Sequence, residues 1–227
     1  MGPPRLSPDG EWIIFQAEPG NSPKETPPSL YRVPVSGGTP LRLFEVKGLA
    51  GYSCAGPATR LCAFATLTED KRTLTITGFD PLAGKGEELL QVALAPGLYW
   101  WAWELSPDGA QVALVETIPK AGENDASAGA EIRLLPFHGG EGKVIPLKGY
   151  GYPVSVDWAP DSKSMFVGGW KARAPSILHA DLNGVVQSTW QAPEHNYAIW
   201  GIPSPDGRHL AVVGGSTDSN VWMIENF

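Results

Sequence analysis

Along the chain, short apolar and aromatic runs are separated by Gly, Pro, Asp and Ser, a pattern that predicts strands joined by tight turns and almost no helix. One cassette recurs. It reads "RLSPDGEWIIFQA" from Arg5, "ELSPDGAQVALVE" from Glu104 and "GIPSPDGRHLAVVGG" from Gly201, with a worn copy, "DWAPDSKSMFVGG", from Asp157. Pro at the second turn position presets φ, Asp at the third hydrogen-bonds its local backbone, and Gly takes the positive φ that leads into the return strand. Each copy therefore predicts a strand, a turn and an antiparallel return strand.

Aligned on the first residue of the turn, these copies stand at Ser7, Ser106, Ala159 and Ser204, and the first gap is about twice the others. A degenerate copy fills it. In "CAGPATRLCAFAT", Gly56 replaces the Ser, Pro57 is kept, and Leu61, Cys62, Ala63 and Phe64 resume the apolar run. The turns are then 49, 50, 53 and 45 residues apart, in the range of one supersecondary unit per repeat. A third strand follows each hairpin ("SLYRVPV", "TLTITGF", "EIRLLPF", "SILHADL", "NVWMIEN"), and in four units a Gly-rich hairpin leads into a fourth.

Four antiparallel strands per repeat form the blade of a β-propeller. The expected fold class is all-β: one domain over 1–227 with about five antiparallel blades, at approximately 1–48, 49–97, 98–149, 150–192 and 193–227. All five turns should lie on one face. The last blade ends after its third strand, so either the ring closes over a three-stranded blade or, the preferred reading, this is part of a larger propeller; 217–227 is left as an edge for self-association.

The stretches "LSPDGEWIIF", "LSPDGAQVAL" and "SPDGRHLAVV" resemble the repeat of the TolB-like propellers, also called PD40 or WD40-like repeats, over essentially the whole chain. The ending "SPDGRHLAVVGGSTDSNVWMIENF" resembles the last blade of bacterial propellers attached behind serine/threonine kinase or winged-helix DNA-binding domains. The resemblance implies a noncatalytic binding or sensor module for protein or small-ligand partners within a larger bacterial signalling protein. The alternative is the propeller of a hydrolase, as in prolyl-oligopeptidase-like peptidases, or of a metal- or sugar-binding enzyme.

Charge and motifs narrow this further. With 17 basic and 24 acidic side chains the formal charge is −7, which disfavours direct contact with nucleic acid. No apolar run is long enough for a membrane span, and "MGPPRLSPDG" does not read as a signal peptide. Localisation is left unassigned, although a parent resembling membrane-anchored sensors would hold the propeller outside the cytoplasm. The nucleophile elbow, phosphate loop and His-Glu-x-x-His motifs are absent, and no catalytic residue, metal or cofactor is assigned.

Candidate contacts lie in the loops that lead into the innermost strands: "GYS", "GLYWWAWE", "GYGYPVSVD" and "HNYAIWG". Tyr99, Tyr152 and Tyr197 share one register, seven residues before the turn position, and Tyr52, Trp101 and Trp200 stand nearby. Packing between blades is the first reading of these aromatics and ligand contact the second. Of the four histidines, only His195 sits where a ligand could reach it. Two residues before each turn stand Arg5, Cys54, Glu104, Asp157 and Ile202, a mixed set near the axis read as mutually satisfied. The turn aspartates read as turn-formers, and the acidic stretch 121–131 as a surface loop.

Cys54 and Cys62 flank the degenerate turn. If Gly56 pairs with Arg60, the two cysteines fall opposite each other, either as small buried hydrophobes, the preferred reading, or as a cross-strand disulfide.

Overall fold

A computed structural model describes residues 3–17, 27–97, 100–118, 129–171, 174–192 and 196–216. The first sheet holds β1 (Arg5–Leu6), β2 (Trp12–Ala17), β3 (Ser29–Pro34) and β4 (Leu41–Glu45), and the second β5 (Leu49–Cys54), β6 (Cys62–Leu67), β7 (Thr73–Asp80) and β8 (Gly84–Ala93). The third holds β9 (Trp100–Leu105), β10 (Gln111–Ile118), β11 (Gly129–Pro136) and β12 (Lys143–Pro146), and the fourth β13 (Tyr150–Trp158), β14 (Ser164–Lys171), β15 (Ala174–Asp181) and β16 (Val186–Gln191). A fifth sheet is seen as β17 (Asn196–Pro203) paired with β18 (Leu210–Ser216). Neighbouring strands are antiparallel meanders, and the described residues contain no helix. The third strand of the last unit and the edge expected at 217–227 lie outside the described residues.

Strand periodicity explains how the sheets stack. On β6, Cys62 and Phe64 pack toward the first sheet while Ala63 and Ala65 pack toward the third. On β10, Val112 and Leu114 face the second sheet while Ala113 and Val115 face the fourth. Successive side chains point to opposite faces, so a middle sheet must be apolar on both. Each apolar layer between blades is such a contact. Ile132, Ile145 and Met165 are fully buried between the third and fourth sheets, each worth about 1.5–3 kcal/mol relative to exposure. Between the first and second, Phe44 meets Phe64 and Phe79 at 5.4 Å, edge-on to Phe79.

The five turns surround one opening, with Pro8, Pro57, Pro107, Pro160 and Pro205 on its rim. In each intact turn the Ser hydroxyl donates to the Asp two residues on and accepts the amide five residues on; Trp12 N lies 2.9 Å from Ser7 Oγ and His209 N lies 3.0 Å from Ser204 Oγ. These bonds stabilise the carboxylate: the Ser7 hydroxyl first, then the Glu11 amide, hold the Asp9 carboxyl below its ordinary range. The turn chemistry also stands where its spelling does not. Thr68 Oγ1 donates to Asp70 at 2.6 Å and accepts the Thr73 amide at 3.0 Å, building the same turn between β6 and β7 from "TEDK".

The register expected about Gly56 and Arg60, which sets Cys54 opposite Cys62, is the one that forms, but the turn does not keep the form of the others. The intact turns close between Ser and the residue five on, as in Ser7 N to Trp12 O at 2.7 Å, whereas the degenerate turn closes from Ala55 N to Leu61 O at 2.9 Å. Ala58 and Thr59 stand where Asp and Gly would be, so the turn-closing carboxylate is missing and the loop takes one more residue. The Gly56 amide donates across to Pro107 O at 2.7 Å instead, latching this turn to the next.

Candidate binding sites at the propeller axis

Three of the innermost strands carry a register shift where the chain enters them: between Leu49 and Tyr52 in β5, Gly151 and Ser155 in β13, and Ala198 and Trp200 in β17. Such bulges re-aim side chains beside binding surfaces. In β5 the bulge holds Gly51 at φ +122°, where a Cβ would lie 3.1 Å from the Trp103 indole nitrogen. Glycine at this position lets Trp103 close over the bulge and donate to Ala50 O at 3.4 Å.

The result is a cavity of about 380 Å³ on the face opposite the turns, called here the loop face. Trp100, Trp101, Trp103, Tyr52 and Trp200 wall it, with Arg5 and Glu104 inside. Tyr52 is buried; its hydroxyl accepts the Gln16 amide at 3.2 Å and donates to Pro3 O at 2.9 Å, so it ties the second blade to the first. Trp101 is half-buried against the layer between the second and third sheets, whereas Trp100 and Trp200 are 48% and 37% exposed. The Trp100 indole is steadied by a bond to Val154 O at 3.3 Å.

The structure therefore brings Tyr52, Trp101 and Trp200 to one cavity. Tyr152 stands in the β13 bulge at φ +47° and does not line it. Tyr99, His195 and the side chain of Tyr197 lie outside the described residues. His179 packs against Phe166 at 5.2 Å, and His209 is exposed beside a turn.

The axial register forms one cluster. Arg5 reaches across from β1 and bonds the Glu104 carboxylate directly, while its other terminal nitrogen is 3.8 Å from Asp157. Ser53, one residue away from the register tracked in the sequence, donates to the other Glu104 oxygen and accepts the Leu105 amide at 3.3 Å. The Trp158 indole donates to the Glu104 carbonyl at 3.1 Å. Glu104 is thus satisfied, as expected for this register. Asp157 is held more loosely: its side chain is 10% exposed, Arg5 is its ion-pair partner at 3.8 Å, and no hydrogen bond to it is seen among the described residues.

Two carboxyls and one guanidinium cannot all be charged cheaply in this space. Attraction to Glu104 raises the Arg5 pKa and keeps it charged. Burial pushes Glu104 up against the pull of Arg5, and burial together with the Glu104 charge pushes Asp157 up to about 8. The direct Arg5 and Ser53 bonds hold the charge on Glu104, so the shared proton sits on Asp157 at neutral pH. On the turn side of the cluster a second cavity, of about 570 Å³, opens between the five turns.

Cys54 and Cys62 are direct partners in the β5–β6 register, 3.9 Å apart at Cα, and are joined as a disulfide. Among the described residues no group of His, Cys, Asp and Glu could hold a metal ion, and no helix is long and apolar enough to cross a membrane.

Antiparallel four-stranded blades about a common axis define a β-propeller, and among solved structures the fold is TolB-like. TolB from Acinetobacter baumannii superposes with a TM-score of 0.66 at 20% identity, covering 94% of this chain and 49% of that one. A TolB from Agrobacterium tumefaciens, described as putative, gives 0.62 at 16% identity over 94% of this chain and 73% of that one. An acylaminoacyl peptidase from Pyrococcus horikoshii gives 0.56 at 13% identity, over 95% and 35%. The chain spans about half the length of the first of these, and the likeness is one of fold. No family model matches, and no curated protein matches by sequence.

Proposed function

We propose that this propeller is a noncatalytic binding or sensor module, part of a larger bacterial signalling protein, that takes a protein or small-ligand partner on its loop face. The observation that carries the reading is the exposure of Trp100 and Trp200 at the mouth of an aromatic-walled cavity. Inter-blade packing accounts for Tyr52 and Trp103, which are buried, but it gives no reason to hold two large indoles in water at a concave surface. Indoles supply broad apolar contact with one polar handle, the chemistry of binding hot spots. The Cys54–Cys62 bond supports a setting in which disulfides persist.

A panel of glycans, peptides and metal ions, screened by thermal unfolding with product analysis of each hit, tests this. The expected result is a hit that raises the unfolding temperature by mass action, is recovered unchanged, and is lost in Trp100→Ala/Trp200→Ala. A hit recovered as cleaved product would replace the reading with that of an enzyme.

A further inference from the structure

The turn-face cavity is separate from the loop-face cavity, and its chemistry is different. Leu6, Pro8, Pro57, Pro107, Pro160 and Ile202 make an apolar collar, in which Leu6 and Ile202 are 56% and 44% exposed. Every charged residue that lines it is acidic: Asp9 at the rim, Glu104 and Asp157 at the floor. Arg5 lines the loop-face cavity instead and is matched by Glu104. Asp157 is left at the floor as a nine-tenths-buried carboxyl that has only the 3.8 Å ion pair to Arg5 and no hydrogen bond among the described residues. That separation from Arg5 is beyond hydrogen-bond length, and a buried carboxyl short of donors at the bottom of an open cavity marks where a donor can arrive.

We infer that the turn-face cavity is a binding site for an organic ammonium group, which pairs with Asp157 at the axis while its apolar body packs in the proline collar. Arg5 is matched by Glu104, so Asp157 is the one floor carboxyl left over; ionised, it sets the sign of the guest charge, and the collar sets the guest's apolar body. A primary ammonium supplies three donors to a floor that offers Asp157 and the edge of Glu104 as acceptors. The groups around Asp157 are Arg5 from β1 and Glu104 from β9, with the Tyr52 hydroxyl of β5 beyond Arg5. At the rim, Asp9 also feels Arg60. Because Asp157 carries a proton up to about pH 8, the guest cation displaces that proton to solvent. Binding therefore releases about one proton at pH 7.

Free amines and the ammonium group of a peptide lysine share this chemistry. Calorimetric titration of the full chain with n-hexylammonium chloride, Nα-acetyl-lysine amide and, as a neutral comparator one methylene longer, 1-heptanol covers both sources. Saturable binding of hexylammonium at least tenfold tighter than heptanol is expected, strengthening roughly tenfold per pH unit from 6 toward 8 and levelling above. Equal or tighter binding of the lysine amide assigns the site to a peptide, and binding of hexylammonium alone to a free amine; both outcomes support it. Asp157→Asn should weaken binding at least tenfold, and Leu6→Lys, at an exposed collar position, should weaken it without bearing on the buried cluster. Trp100→Ala on the other face should leave it unchanged, so failure here is distinct from failure at the loop face. Heptanol binding as tightly as hexylammonium, affinity unchanged in Asp157→Asn, or no saturable ammonium binding would overturn the site.

Discussion

Replacing Asp157 by Asn removes one ionisable group and almost nothing else, because the folded protein already holds that carboxyl neutral at pH 7. In the unfolded chain the carboxyl ionises near its ordinary value of 3.8, while in the fold it keeps its proton to about 8. For a carboxyl raised by folding, the stabilising contribution is complete below 3.8 and is lost as the pH climbs to 8. Each pH unit in that window costs about 1.4 kcal/mol, so on the order of 4 kcal/mol is gone by pH 7. Asn carries no such slope. Urea unfolding of both proteins between pH 4 and 8.5 should give similar stabilities at pH 4 and a variant more stable by a few kcal/mol at pH 8. Parallel pH profiles, or a variant less stable at pH 8 than the parent, would show that Asp157 is ionised in the fold and would refute the placement of the proton.

The same cluster makes a sign reversal testable. Glu104→Gln should cost about 3 kcal/mol, since Arg5 loses its direct counter-charge, and Asp157 should then ionise to replace it; adding Asp157→Asn, stabilising in the parent, should now destabilise further in urea titrations. Gly48→Ala should cost well over the ~1 kcal/mol of Gly10→Ala in thermal unfolding: both glycines have positive φ, at +71° and +75°, but a Cβ at 48 would lie 2.9 Å from the Leu67 carbonyl oxygen and one at 10 meets nothing within 4 Å. Unreduced protein from an oxidising compartment should show no reactive thiol when denatured, and Cys54→Ser/Cys62→Ser, which opens a loop of sequence separation 8, should lower stability by about 2.5 kcal/mol in urea.

The repeat was legible in the sequence because its turn depends on local chemistry, and Ser7, Ser106 and Ser204 carry the same hydroxyl-to-carboxylate closure. The turn at Thr68 was not, since the working parts are a hydroxyl and a carboxylate two residues apart, and the Pro and Gly that made the other copies visible are absent. Aromatic register was a weaker guide. Tyr52 and Tyr152 approach similar turns, yet bulges of different extent in β5 and β13 place one under the first blade and the other away from the cavity. The axial charges could be seen two residues before each turn, but not which carboxylate Arg5 would take; that depends on reach across the axis and on Ser53, whose hydroxyl carries no sequence signal of its own.

The loop-face reading is tested most directly by indole resonances of the 15N-labelled protein, recorded as a binding hit from the panel is titrated. The sequence has nine tryptophans. The expected result is movement of the Trp100, Trp101 and Trp200 indole signals, assigned by single substitution, with Trp158, buried at the turn side of the axis, unmoved. A ligand that leaves Trp100 and Trp200 unshifted while perturbing other tryptophans would contradict it.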